Sequence, residues 1–478
     1  MSRQRSKGKD GTLSGGLGVT TVIVMVIAAA APLTTVGAVA PNAFIAGNGA
    51  AYPIMYVAAA LLLFLFAVGF NAMNRYVAEA GAFYSYVTLG LGRGAGVSAA
   101  YLALLTYTCV QMAVYAFMAG ILADYVTGLG GPELPWWVWM VGIVLAVTFF
   151  GYRNIDFSGR LLLVLVALEI LICLVLVIAI VIEGGGQEGL STATFTPSAW
   201  FQGAPALGLM FAVSGFLGVE GAAIYRDEVR DPDRTIRRAT YGALAVIGLF
   251  YAVVAWGLVS AWGDQSIVEK ASQDPGGLLV ETFGIYLGPV SQEIVQILLL
   301  TSFFACVLSF HNVINRYVFT LGTAGLMPRS LGKAHPTYHS PHVAALLQSA
   351  SVLVLMAVFV AMGLGPFSQI FSWMIGTSTL GFLLLMLLTC IAVIVFFGSN
   401  PRELNPWRTR WIPLLGALGI AIATVTTAAN LPILVGTWGM AAAVLVPILL
   451  ILIGGPAFAM LNPNANAEHA DALQRGAR

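Results

Sequence analysis

The chain has 478 residues, of which 59% are hydrophobic and only 9% charged, and its formal net charge is +1. Ordinary soluble domains carry roughly 25% charged residues, so a globule of this composition cannot clothe itself for water, and hydrocarbon must solvate much of its surface. The near-zero charge gives no basis for a nucleic-acid or acidic partner.

Arg3, Arg5, Lys7 and Lys9 precede an apolar run that contains Ala28-Ala29-Ala30-Ala31. The pattern imitates a signal peptide with a small-residue cleavage site. The apolar stretch continues past those alanines, however, and reads as an uncleaved first helix. A span needs about 20 apolar residues. Twelve such stretches begin near Gly18, Tyr52, Val97, Trp136, Leu161, Ala204, Tyr241, Val290, Val343, Ser368, Ile412 and Ile433. The last two are separated at Asn430-Leu431-Pro432, and the long connections 262–289 and 317–342 read as loops. The expected fold class is therefore an all-α membrane protein of twelve transmembrane helices. Its segments are an N-terminal tail (1–17), spans 1–5 (18–198), spans 6–10 (199–400), spans 11–12 (401–460) and a polar tail (461–478).

Charge placement tests that count. With an even number of spans and both termini inside, alternate connections should hold the basic residues. Arg75 and Arg93, Arg153 and Arg160, and Arg226, Arg230, Arg234, Arg237 and Arg238 all fall on the side of the termini. So do Arg316, Arg329 and Lys333, then Arg402, Arg408 and Arg410, and finally Arg475 and Arg478. Of the 22 lysines and arginines, only Lys270 falls on the opposite side. Both termini are thus expected in the cytoplasm, with the chain in a cytoplasmic membrane. Cys109, Cys173, Cys306 and Cys390 lie inside apolar runs without CxxC or Cys/His spacing, which points to packing rather than disulfides or a metal.

Two spans are interrupted. In span 1, Ala31-Pro32-Leu33-Thr34-Thr35-Val36-Gly37 puts a proline and a glycine at mid-membrane. In span 6, Ser214-Gly215-Phe216-Leu217-Gly218-Val219-Glu220-Gly221 puts three glycines and a carboxylate there. Proline removes a backbone donor and glycine leaves helical geometry cheaply. Backbone freed at that depth must line a cavity or be buried in protein. Gly and Pro are also commoner in membrane helices generally. Interruptions at matching positions in two five-span halves nevertheless point to inverted repeats with a site at the midplane. Half-helix N-termini there would offer N–H groups to an anionic group.

Glu169 in span 5 follows Arg160 by nine residues and precedes Glu183 by fourteen. These separations correspond to about 13 Å and about 21 Å along a helix, too far to snorkel easily. Intramembrane carboxylates of this kind serve as proton carriers or ion ligands, or else as neutral packing partners between helices. Glu220, beside the span 6 break, is a candidate partner for a substrate ammonium or a brace between spans 1 and 6. Glu293 reads as a solvated interfacial residue. Tyr107, Gln111 and Tyr115 in span 3 and Ser372, Trp373, Thr377 and Ser378 in span 10 are candidates to line a cavity, though such residues also serve as interhelical glue. His311, His335, His339 and His342 suit solvated or capping roles near the loop after span 8 better than a metal site.

Four places resemble the amino acid–polyamine–organocation superfamily. Ala80-Gly81-Ala82-Phe83-Tyr84-Ser85-Tyr86 is similar to its Gly-Gly-x-Tyr-x-Tyr segment. Gly215-Phe216-Leu217-Gly218-Val219-Glu220, with the following Asp227-Glu228-Val229-Arg230-Asp231-Pro232-Asp233-Arg234-Thr235-Ile236-Arg237-Arg238-Ala239, resembles its span 6 signature. Asn315-Arg316-Tyr317 through Gly325-Leu326-Met327-Pro328 resembles the loop after span 8, and the span count and termini agree. The resemblance implies a LeuT-type fold: a 5+5 inverted repeat with broken helices 1 and 6, two further C-terminal helices, and alternating access around a central site. It also implies an amino acid or related amine as substrate.

Two departures bear on that substrate. The family's span 1 break is usually Gly-Ser-Gly, whose amides hold a substrate carboxylate, whereas Thr34-Thr35-Val36 stands here between Pro32 and Gly37. Glu169 occupies the span 5 position where many members carry a lysine that stands in for a sodium ion, which makes proton coupling the preferred mechanism.

The resulting expectation is a proton-coupled importer of a small amino acid. An amine or polyamine carrier, or an exchanger without proton coupling, is the alternative. Thr34, Thr35, Val36, Gly37, Gly215, Phe216, Gly218, Glu220, Gln111 and Ser372 are the expected substrate-binding residues, Phe216 as a gate and Glu169 as the proton site. No metal or cofactor is expected beyond a proton gradient as energy source. The expected partners are a small-molecule substrate and the lipid bilayer, with homo-oligomerisation open. An intramembrane enzyme is disfavoured because no HExxH, GxSxG or Walker pattern occurs. A channel is disfavoured because few ionisable groups sit at mid-membrane.

Overall fold

The computed structural model describes residues 18–77, 82–153, 159–220, 229, 231–338, 340–399 and 405–462. Arg3, Arg5, Lys7 and Lys9, Ala80 and Gly81, Gly221, Arg226, Asp227, Glu228, Arg230, His339, Arg402 and most of the C-terminal tail therefore lie outside the described residues. The side chains of Arg160 and Asp233 lie outside as well.

The described residues form helices joined by short connections, with no strand among them. In chain order these are α1 (Val19–Ala29), α2 (Pro32–Thr34) and α3 (Ala40–Ala46), the last two joined by a widened π-helical turn over Thr35–Val39. Next come α4 (Pro53–Asn74), α5 (Ala82–Leu91), α6 (Arg93–Gly128), α7 (Trp136–Tyr152), α8 (Gly159–Ile182) and α9 (Pro205–Ser214). The remainder are α10 (Pro232–Trp262), α11 (Ile267–Gln273), α12 (Leu278–Leu287), α13 (Pro289–Thr323), α14 (His342–Ala361), α15 (Phe371–Ser399), α16 (Ile412–Val435) and α17 (Trp438–Leu461).

Ten helices or continuous helical runs among the described residues are long and apolar enough to cross a membrane. The expected spans 4 and 6 correspond to shorter apolar helices, α7 and α9. The chain is a multi-pass membrane protein by this measure. Its outer surface agrees. Helix α8 exposes Leu163, Val164, Leu168, Leu171 and Ile178 on one side. The interior is closed by aromatic rings such as Phe117, Tyr251 and Phe303.

Two expectations about connections need correction. The segment after Trp262 is not a plain loop but contains α11 and α12. Leu278, Leu279, Val280 and Phe283 bury one face of α12, and the Asp274 carboxylate accepts the Gly277 N–H at 2.8 Å near its start. The last two spans separate at Gly436-Thr437 rather than at Asn430-Leu431-Pro432. Pro432 sits in the final turn of α16, and Gly436 leaves the helix at φ +91°. A proline so near the end of a long helix removes one bond without stopping the chain. The positive φ is what stops it. A Cβ at Gly436 would meet nothing within 4 Å, so Gly436→Ala should cost about 1–2 kcal/mol from backbone strain alone. A fall in the thermal midpoint of the detergent-solubilised protein would register it.

Between helices, small residues set the spacing, as expected where lipid supplies no hydrophobic drive to association. Helix α5 lies so close to α15 that a Cβ at Gly90 would come within 2.3 Å of the Ala392 carbonyl oxygen. All four cysteines are buried and free, in keeping with packing roles.

Candidate functional site

Helix α1 stops at Ala29, and Ala31 is the one non-glycine residue with positive φ (44°) among the described residues. The cause is local: the residue before a proline is pushed out of helical geometry, while Pro32 is well placed to begin a new helix because its missing N–H is not needed there. The break thus falls at Ala30-Ala31, just before the stretch from Thr34 to Gly37 that the sequence reading placed there. Thr34 closes α2, and Thr35, Val36 and Gly37 lie in the π-helical turn, with the Thr35 N–H bonded to the Ala31 carbonyl at 3.1 Å.

Both sides of this break are satisfied by side chains from elsewhere in the fold. The freed Ala30 carbonyl accepts from the Tyr251 hydroxyl at 3.1 Å and from Thr35 Oγ1 at 3.3 Å. The Leu33 N–H, in the first turn of the new helix, donates to Glu169 Oε2 at 3.1 Å. Glu169 is only 3% exposed although Leu168 beside it faces outward at 44%. Its carboxylate therefore points inward and caps the N-terminus that starts at Pro32. Thr34 Oγ1 donates to Ser302 Oγ at 3.2 Å, which ties α2 to α13 beside the capped break.

The second break falls where the sequence placed it. Helix α9 ends at Ser214, tight turns carry residues 215–218, and Gly218 adopts φ +102°. The Glu220 carboxylate folds back to accept the Gly218 N–H at 2.9 Å through Oε2, while Oε1 accepts the Tyr107 hydroxyl of α6 at 2.8 Å. The two breaks touch: a Cβ at Gly215 would sit 2.8 Å from Thr35 Cγ2 and 3.2 Å from the Tyr251 ring.

Not every expected site residue joins this centre. Phe216 is fully buried against Tyr251, edge to face with ring centres 6.0 Å apart. Gly37 faces Leu299 and Leu279. Gln111 is engaged by Tyr115, the Val307 carbonyl and Gln348, whose Nε2 reaches Gln111 Oε1 at 2.9 Å. It therefore braces α6, α13 and α14 and is not brought to the breaks. Ser372 donates to Asn42 Oδ1 at 3.0 Å, tying α15 to α3. His311 is buried within α13 rather than near solvent, whereas His335 Nδ1 accepts the Thr337 and Tyr338 N–H groups as a local cap. Glu293 is exposed, as expected, and accepts the Tyr125 hydroxyl.

Tyr251 and Ser302 escaped the sequence reading. Each is one of several polar residues in its helix (Thr301, Ser309 and His311 lie near Ser302 in α13, Tyr241 and Ser260 share α10 with Tyr251), and nothing in its own helix marks it as the partner of a break over two hundred residues away. Pro32 did carry a usable signal, because a proline just inside a helix start places the break before it.

A family model described as amino acid permease matches residues 17–453. The low-affinity putrescine importer PlaP of Escherichia coli is 22% identical over 307 residues, 63% of this chain and 66% of the importer. A probable GABA permease of Pseudomonas aeruginosa is 25% identical, covering 77% of this chain and 78% of that one. The branched-chain amino acid permease BcaP of Lactococcus lactis is 24% identical over 66% of this chain and 68% of its own length. Among solved structures, a manganese transporter from Eremococcus coleocola superposes with TM-score 0.53 over 95% of this chain and 97% of that one, at 14% identity.

Proposed function

Because the chain belongs to the amino acid permease family, a family of transporters rather than enzymes, we propose that it is an alternating-access carrier of a small cationic amine, driven inward by protons. The observation that carries this reading is the Glu169–Leu33 hydrogen bond. In a carrier for amino acids, a half-helix N-terminus at the midplane is the natural seat for the substrate carboxylate. Here a carboxylate of the protein itself occupies the start of the second half-helix.

The charge inventory supports the same substrate class. Glu169 and Glu220 lie at the breaks, while every described lysine and arginine side chain is exposed or half-buried. A centre with two carboxylates and no buried base favours a positively charged guest. The transport of putrescine by one relative fits this chemistry. In this reading the guest's ammonium draws on Glu220, and Glu169 takes up and releases the coupled proton. Protonation removes Glu169's charge from the half-helix end and loosens the contact between α2 and α8.

The remaining architecture follows the same reading: twelve spans, with 18–198 and 199–400 as inverted five-span repeats, 401–460 as two added spans, and both termini in the cytoplasm. The alternation of basic residues along the chain supports that orientation.

A zwitterionic amino acid is the second reading, favoured by the GABA and branched-chain permeases among the relatives. Uptake into proteoliposomes under an inward proton gradient separates the two. Labelled putrescine should accumulate, and GABA and leucine should not compete with it. Accumulation of the amino acids with putrescine inert would replace the amine by an amino acid.

A further inference from the structure

One end of the bundle carries a strongly one-sided charge. In the connections 124–133, 183–204 and 263–293, nine carboxylates face a single lysine, Lys270. Within this face lies an open cavity of about 290 Å³ between the ends of α6, α12 and α13. Asp124, Asp274 and Glu293 line it, together with Tyr125 and Gln296. Asp274 is held by the Gly277 N–H and Glu293 by the Tyr125 hydroxyl at 3.1 Å, and the charges of Asp124 and Asp274 repel one another.

Gln296 is the informative residue. It is only 8% exposed and lines the cavity, and no hydrogen bond joins its side-chain amide to another described residue. Its amide atoms are not sealed in protein but open to the cavity, so a polar guest there can take hydrogen bonds that no protein group takes. A metal ion does not fit: no group of three acidic or other ligating side chains among the described residues is close enough to hold one. The cavity is also too large for a single ion and approaches the size of small-ligand pockets, which begin at about 300 Å³.

We propose that this cavity is an outer collecting site for a small organic ammonium ion, a site separate from the central one. Carboxylates with hydroxyl and amide oxygens suit ammonium groups. The surrounding negative field raises the local concentration of cations at its mouth. The position suits delivery. Gln296 lies six residues outward of Ser302 on α13, about 9 Å along the helix. An aromatic cluster adjoins the cavity: the Phe367 ring lies against Gly276 of its lining, and the Phe117 ring centre stands 4.9–5.7 Å from those of Phe303, Phe367 and Phe371. The cavity rests on the amine reading only for the identity of the guest it passes on.

Equilibrium binding of labelled putrescine to the full-length protein in nanodiscs at low salt tests the site. A Glu220→Gln background, which removes the carboxylate assigned to the ammonium at the central site, restricts the readout to sites other than that one. Gln296→Leu, which changes no charge, should weaken binding roughly threefold or more. Combined Asp124→Asn, Asp274→Asn and Glu293→Gln should weaken it roughly tenfold or more. Neutralising Glu133, Glu183 and Glu281 to glutamine removes the same charge elsewhere on this face and should change it less than about twofold. Equal losses from the two triple variants, insensitivity to Gln296→Leu, or absence of binding would overturn the proposal. Binding without amine uptake by the wild type would sink the amine reading and leave the outer site standing. Amine uptake with binding indifferent to the cavity variants would do the reverse.

Discussion

Proteoliposomes carrying Glu169→Gln are expected to exchange putrescine but to lose its accumulation against a gradient. With the membrane potential clamped at zero and an inward gradient of one pH unit, each coupled proton sustains about a tenfold accumulation, because about 1.4 kcal/mol corresponds to a factor of ten. Without a titratable group the ratio should fall to about one. Glutamine is the informative replacement because its amide oxygen still accepts the Leu33 N–H that Glu169 holds at 3.1 Å, so the capped break survives. Accumulation unchanged in the variant would assign Glu169 to bracing alone. Loss of exchange as well would place it in direct contact with the substrate.

A second large effect is expected far from the site, at Gly90. The variant Gly90→Ala should show a markedly lower thermal midpoint and poor membrane yield, for a loss of about 1–3 kcal/mol or more. The added Cβ would meet the Ala392 carbonyl oxygen at 2.3 Å and its Cα at 2.5 Å. Both are backbone atoms with no rotamer to escape into, so α5 and α15 would have to separate. Gly142→Ala in α7 is the matched control: its Cβ would meet nothing within 4 Å, and helix propensity favours alanine by about 1 kcal/mol. A midpoint for Gly90→Ala equal to that of the control would show that the two helices tolerate separation.

The proposed proton site and the packing glycine illustrate different limits of legibility. Glu169 was conspicuous in the sequence because a carboxylate flanked by Leu161-Leu162-Leu163 and Ile170-Leu171-Ile172 has no snorkelling route to water. Gly90 was invisible, because its importance lies in Ala392, about three hundred residues later, and no periodicity within α5 reports that contact. Gln111 and Ser372 looked like cavity residues on the same grounds as Tyr107. Only Tyr107 meets the breaks, and the other two are tied to Gln348 and Asn42.

What the sequence determined by itself was what local physics enforces. Runs of apolar residues long enough for hydrocarbon set the helices, the alternation of basic residues set their expected direction, and Pro32 and the glycines at 215 and 218 interrupted two of them. These signals are legible because the bilayer penalises every unpaired backbone group and stray charge where it stands, without reference to the rest of the chain. Tertiary structure decided what fills each interruption. Glu169 and Tyr251 satisfy the first break and Tyr107 meets the second, across separations of 136, 221 and 113 residues. A hydrogen bond needs only proximity and direction, and neither is encoded in the spacing of residues on separate helices.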